Sequence, residues 1–495
     1  MTETNVNKAS EMSRLEATIW FWSVAGFFAM LWVFIPGILH SGYRGDVIEV
    51  LVIAPEWVWA TKKHPMLPAW MLEILNILTD RSFAVPYLAT QACTVLTLWS
   101  VWKLGRTVLD ERLALIGAFS VFPYLFFACK PIWFNQNNVL IAFWALSVSL
   151  IFLAWQTNQK RYWISAGIAL GLAFHAKYPA IFLVLSILVS MLVRKDLRQY
   201  FWTPGPCMTT LIAFAIFLPH VIWLFHHDFA TFSYMTIRPS LPWWFAPFHF
   251  AGGQMLYVLL ILAVLFPVFG RMWKVRHHEP GPARECEKFL FYCFMIPLVC
   301  HMFYAGIKSS LVHFEYGAPF WSFGGVWLLL RFQPARKPSQ HFRQTVALTI
   351  VMMISIAAGF VTLFYTGKQH PMHYFPSQAL GKECHRLWHS RFPDFDCPYI
   401  AGNDHILFGH AAHFMPVRPS VLLPLGTWAN DDDLNNKGGM IVWEREGGDR
   451  EMPEPLRFRF PKAEVLPETP ELPYQTRKHI PPLKIGIAVV PPPET

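Results

Sequence analysis

The chain has 495 residues, 54% of them hydrophobic and only 15% charged, with a formal net charge of +9. Soluble domains carry about 25% charged residues, so this composition, with a mean hydropathy of +0.33, excludes an ordinary water-soluble protein. Apolar runs near 20 residues, enough to span about 30 Å of hydrocarbon, point to a polytopic α-helical membrane protein.

The first apolar run, "ATIWFWSVAGFFAMLWVFIPGIL" (17–39), is longer than the apolar stretch of a signal peptide. It lacks a small-residue cleavage site and reads as a retained span. Next comes "HSGYRGDVIEVLVIAPEWVWATKKHPMLPAW" (40–70), too polar to cross a bilayer and too apolar for a plain loop. It gathers Asp46, Glu49, Glu56, Lys62, Lys63 and His64. Further spans are predicted at 83–103, 113–129, 138–155, 162–175, 178–193, 207–225, 250–270, 289–305, 311–330 and 345–366, about eleven in all. Pro179 favours the break in "HAKYP" between the fifth and sixth.

Lys and Arg crowd into "KLGRTVLDER", "VRKDLR" and "GRMWKVRHHEPGPAREC" and are sparse in the alternate loops. The positive-inside rule then puts the N-terminus in the cytoplasm and, after an odd number of spans, the tail outside. The same asymmetry explains the basic balance without nucleic acid. The expected organisation is a membrane domain over 1–366, with a first outer loop at 40–82, and a periplasmic domain over 367–495.

That tail changes character. It holds "DDDLNN", several prolines and short β-like runs, "GGMIVWE" and "ILFGHAAHF", and reads as a small α/β domain. The closing "HIPPLKIGIAVVPPPET" is proline-rich and expected to be extended. Eight cysteines occur without CxxC spacing. Cys384 and Cys397 form a disulfide if the tail lies in an oxidising compartment; two free thiols is the alternative.

Most unusual polar groups fall at span ends on the outer face. After the opening loop come Lys130, Asn135, Asn137 and Asn138 in "CKPIWFNQNN", then His175 and Lys177 in "FHAKYP". His226, His227, Asp228, Tyr234 and Arg238 follow in one loop, and Lys308, His313, Glu315 and Tyr316 in another. Ionisable groups at membrane depth are expensive and usually functional or paired. An acid near several cations suits transfer from an anionic lipid carrier. The cations would hold and stabilise a leaving phosphate, and the carboxylate would take a proton from an acceptor hydroxyl. No GxxxxGK[ST] or GxGxxG loop for a nucleotide is present. "HHD" at 226–228 offers metal-type ligands, but adjacent residues seldom converge on one ion, so a hydrogen-bonded loop is preferred and no metal is favoured.

"GYRGDVIEV" followed by "KKHPMLPAW" resembles the first outer loop of the membrane-embedded GT-C glycosyltransferases. Among these, the resemblance is to family 39, the protein O-mannosyltransferase-like and aminoarabinose transferase-like enzymes. "FNQNNVLIAFWALSVSLIFLAW", "GIALGLAFHAKYPAIFLVL" and, in the tail, "YIAGNDHILFGHAAHFMPVRPSVLL" are similar to later family segments. The resemblance implies a GT-C-like fold and an inverting hexosyl or pentosyl transfer from an undecaprenyl-phosphate-type donor in a bacterial inner membrane. The acceptor would be lipid A, a polysaccharide, another lipid or a protein. Asp46 matches the aspartate of the family's Gly-Asp-Glu, but Val47 stands in place of its glutamate, leaving Glu49 as a substitute three residues on. His64 and Pro65 match its (Lys or His)-Pro, and Lys177 matches its Lys-Tyr. Asn138 stands where many members carry a second aspartate. Donor-phosphate contacts are then expected from Lys63, His64, Lys130, Lys177, Arg238 and Lys308, with Asn138, His226, Asp228 and His313 lining the site. A carrier or glycan transporter, and a degenerate carrier-binding member, are the alternatives.

Overall fold

The computed structural model describes residues 12–129, 132–235, 239–269, 273–334, 338–445, 451–476 and 480–493. The chain divides into two compact units, Met1–Val33 with Thr90–Ala357 and Phe34–Ala89 with Ala358–Thr495. Residues 34–89 therefore group with the C-terminal part of the chain.

The first unit is helical. Among the described residues, six helices are long and apolar enough to cross a membrane: Arg14–Leu39, Gln136–Thr157, Pro204–His226, Ala246–Phe269, Pro282–Lys308 and, within Pro338–Tyr365, residues His341–Tyr365. Val85–Gly105, Lys160–Ala176 and Ala180–Val193 match three further predicted stretches with shorter or less apolar helices. Gly167 and Gly171, one turn apart, let Lys160–Ala176 lie against Pro204–His226. A Cβ on Gly167 would sit 2.8 Å from the Thr209 carbonyl, and one on Gly171 2.9 Å from Ile216 Cβ. Such small-residue spacing brings helix backbones together where lipid supplies no hydrophobic drive.

Two predicted spans take another form. The 113–129 stretch breaks into Glu111–Phe119 and Phe122–Cys129, with Pro123, which cannot donate into a helical ladder, at the break. Asp110 caps the first piece by accepting from the Arg112 and Leu113 amides. The 311–330 stretch is a 3-10 helix, Phe314–Phe323, running into a short α-helix, Gly324–Arg331. Pro319 and the Gly324–Gly325 pair work against one long α-helix. Gln254 pins the 3-10 segment, donating to the Phe314 carbonyl at 2.8 Å and accepting from the Trp321 indole at 3.1 Å. A short antiparallel pair, β1 (Lys274–Val275) with β2 (Phe332–Gln333), ties two helix ends together.

The second unit carries helices Gly45–Ile53 and Leu67–Leu78 and a mixed sheet. Its strands are β3 (Tyr399–Gly402), β4 (Ser420–Val421), β5 (Gly439–Glu444), β6 (Glu464–Val465), β7 (Glu471–Leu472) and β8 (Leu483–Val490), in the order β4-β3-β5-β8-β6 with β7 also on β8. β3 runs parallel to β4 and β5, and β8 is antiparallel to β5, β6 and β7. The proline-rich close of the chain thus contributes an eight-residue interior strand. "LKIGIAVV" is apolar and free of proline between Pro482 and Pro491, and six of its eight residues are buried hydrophobics. "ILFGHAAHF" is not a strand but most of helix His405–Phe414, started by Asp404, whose side chain accepts from the Ile406 amide. Ala401, Leu434, Ile441, Trp443, Phe460 and Ala488 form the centre of the sheet's core. Cys384 and Cys397 are both buried free thiols and not a disulfide, and the Cys397 thiol hydrogen-bonds the Tyr399 carbonyl at 3.3 Å.

Candidate functional site

In the second unit the candidate acids sit on helix Gly45–Ile53, which Arg44 enters from extended backbone. Its apolar residues Val47, Ile48, Val50 and Leu51 are buried. Gly409 of helix His405–Phe414 comes close enough that a Cβ there would lie 3.2 Å from Ile48. This packing leaves Asp46 and Glu49, three residues apart on one face, half-buried. Asp46 lies in the first turn, where the helix dipole favours negative charge. Among the described residues its carboxylate has no hydrogen bond or ion pair.

Glu49 is engaged. Lys63 Nζ lies 3.2 and 2.9 Å from its two carboxylate oxygens, and both side chains are under 20% exposed. Lys63 is delivered by a tight turn in which the Thr61 amide donates to the His64 carbonyl, and the Lys63 and His64 amides donate to Thr61 Oγ1. Ala60 and Pro65 close the turn as an isolated antiparallel bridge. The structure therefore brings Glu49, Lys63 and the His64 backbone together.

The frame around them is polar and tight. Arg418 grips Glu73 in a fork, at 2.9 and 2.6 Å, and holds its carboxyl below the usual range against the opposing effect of burial. Burial pushes the Glu56 carboxyl up, although Ser420 donates to it at 2.6 Å. His410 accepts from the Tyr43 amide at 3.1 Å and donates to the Ile406 carbonyl at 2.7 Å.

In the first unit the polar centre is Lys177. It caps helix Lys160–Ala176 from extended backbone and is only 7% exposed. Its Nζ donates to Asn137 Oδ1 at 2.7 Å and stands 3.8 Å over the Tyr316 ring. The ammonium thus faces an amide oxygen and a π-cloud. Asn138, in the place of the expected second acid, is 1% exposed and takes part in the helix start. Its side chain accepts from the Asn135 amide while Asn135 caps Gln136–Thr157. Next to Lys177, the Tyr178 hydroxyl bonds His220 and Thr231, at 2.8 and 3.0 Å.

His313, exposed, reaches this cluster, with its ring centroid 5.9 Å from that of Tyr316. The other candidates lie elsewhere. Lys308 ends helix Pro282–Lys308 and is exposed. His226 is an exposed helix end, His227 stacks on Trp223, and Asp228 is exposed at φ 50°. Among the described residues no group of three His, Cys, Asp or Glu side chains is arranged to hold a metal ion. Lys130 and Arg238 lie outside the described residues. Asn137 and Tyr316, both among the polar residues noted at span ends, were given no site role by the sequence, and the structure brings both onto Lys177.

The sequence profile of the dolichyl-phosphate-mannose-protein mannosyltransferase family matches residues 63–223, less than half of the chain. No curated protein matches the chain. The structure is similar to that of ArnT from Cupriavidus metallidurans bound to undecaprenyl phosphate. The TM-score is 0.55 and the identity 11%, with 96% of this chain and 98% of that one covered. The apo form of the same protein gives 0.52 at 12% identity, with the same coverage. Arabinofuranosyltransferase AftD from Mycobacteria gives 0.49 at 11%, over 97% of this chain and 40% of that one.

Proposed function

From the GT-C fold that the chain carries, we propose that it is an inverting glycosyltransferase, moving a sugar from a polyprenyl-phosphate carrier to an acceptor on the periplasmic face of a bacterial inner membrane. The observation that carries this reading is the likeness, over nearly the whole of both chains, to a protein whose structure contains bound undecaprenyl phosphate. The acidic outer loop and the buried Lys177 cluster support it. Orientation rests on the distribution of Lys and Arg.

The residue roles are assigned one by one, each from its own surroundings. Asp46 is the base. It takes the proton of the acceptor hydroxyl as that oxygen attacks the anomeric carbon, and the bond from that carbon to the phosphate oxygen breaks. Glu49 is a poorer base, because taking a proton would cost it the ion pair with Lys63. Lys63 instead holds Glu49 in place and orders the loop after Asp46. Lys177 contacts the donor phosphate, its fixed charge stabilising the oxygen that leaves with the electron pair. With an amide, Asn138, at that position, accepting from the Asn135 amide at the helix start, Asp46 works without a second carboxylate there.

The test is turnover by the purified full-length chain, with a short-chain polyprenyl-phosphate sugar and a membrane-extract acceptor. The reading requires release of polyprenyl phosphate. Movement of labelled carrier across liposomes without release would replace it with the transporter alternative.

A further inference from the structure

The mechanism above leaves unused a basic cavity in the first unit, of about 570 Å³. It lies where the start of helix Pro282–Lys308 and the end of helix Gly324–Arg331 meet the β1–β2 pair. Arg276, Arg284, Lys288 and Arg331 line it, with a single carboxylate, Glu287. That carboxylate is already committed, accepting from Arg331 at 3.3 Å and lying 3.9 Å from His278 Nε2. His278 is itself fixed, donating to the Leu330 carbonyl at 2.7 Å. Among the described residues Arg276, Arg284 and Lys288 have no ion pair. Arg284 and Lys288 are four residues apart on one helix face, an arrangement that repels unless an anion sits between or above the charges.

The other wall is aromatic. Phe291 is 42% exposed, and Trp327 stacks beside it with ring centroids 6.4 Å apart. The Trp327 indole N–H is buried with no acceptor among the described residues. A cation cluster, an orphan donor and an apolar ledge at the end of apolar helices match a ligand with a phosphate head and a hydrocarbon tail. A free phosphate would use the cations and leave the aromatic wall idle.

We infer that this cavity binds the headgroup of an anionic phospholipid, with Arg276, Arg284 and Lys288 on the phosphate and the acyl chains along Phe291. The site is separate in residues from those assigned to donor and acceptor, and it stands whether or not the transferase reading does. The experiment is native mass spectrometry of the full-length chain released from nanodiscs of phosphatidylcholine with phosphatidylglycerol or cardiolipin. Parallel arms contain phosphatidylcholine alone, and phosphatidylcholine with millimolar inorganic phosphate. Retention of an anionic lipid over phosphatidylcholine is expected, and replacing the three cations with alanine should weaken it roughly a hundredfold. Trp327→Phe, which keeps the ring and removes the N–H, should weaken it more mildly and serves if the triple variant fails to fold. Equal retention of both lipid classes would overturn the proposal. So would phosphate binding without lipid retention, or wild-type retention in both variants.

Discussion

Replacing Lys177 by methionine keeps the aliphatic stem and removes the charge. Lys177 is buried, with its ammonium 2.7 Å from Asn137 Oδ1 and 3.8 Å over Tyr316. If that ammonium also contacts the donor phosphate, one charge-assisted contact of ~1.5–3 kcal/mol is lost. At about 1.4 kcal/mol per decade, the donor Kd should rise roughly 10- to 100-fold. A purely structural lysine would instead lose stability, about 1–2 kcal/mol from the cation–π and amide contacts. Two measurements on the same samples separate the cases: polyprenyl-phosphate binding by tryptophan fluorescence quenching, and Tm. Lys177→Arg, which keeps charge but changes shape, should bind more tightly than Lys177→Met. A Lys177→Met protein with a lowered Tm and donor affinity within about twofold of wild type would refute the phosphate role.

Arg418→Ala should strand the buried Glu73 carboxylate and cost about 3 kcal/mol, with much of it recovered in the Arg418→Met, Glu73→Leu double variant; thermal unfolding of the full chain reads both. Acid should destabilise the second unit. Burial holds His410 down at about 4 and His413 at about 3, against an ordinary value of about 6.5. The unfolded chain therefore takes up protons first as pH falls, so stability is full above about 6.5 and is lost on the way down towards 4. Hydrogen exchange of helix His405–Phe414 that does not change from pH 7 to 4.5 would contradict this. Cys384, pushed up to about 12 by burial, and Cys397 should resist maleimide in the folded chain while exposed Cys207 reacts. A mass two daltons low, with Cys384 and Cys397 linked, would contradict the free-thiol state.

The long spans were legible because hydrocarbon thickness imposes a length and an apolar content that few other structures share. Arg14–Leu39, Pro204–His226 and Ala246–Phe269 stand close to their predicted bounds. Hydropathy is blind to backbone form, however, and the apolar 311–330 stretch became a 3-10 segment held by Gln254. In the tail, composition read the proline-flanked "LKIGIAVV" correctly as extended without showing that it is an interior strand. It misled at "ILFGHAAHF", where the helix start signal Asp404 just before it outweighs its β-like apolar residues. At the candidate site, residue types were readable and partners were not. Glu49 and Lys63 are fourteen residues apart and meet only because a turn at Thr61 folds the loop back. Lys177 and Tyr316 lie on distant segments, and no local pattern marks the pair.

Proton transfer from the acceptor to Asp46 is tested by single-turnover release of polyprenyl phosphate by Asp46→Asn in the full-length chain, with donor binding measured alongside. Donor affinity should stay close to wild type while the rate falls by roughly 10²- to 10⁴-fold. Glu49→Gln should lose less. Release at the wild-type rate by Asp46→Asn would remove Asp46 as the base.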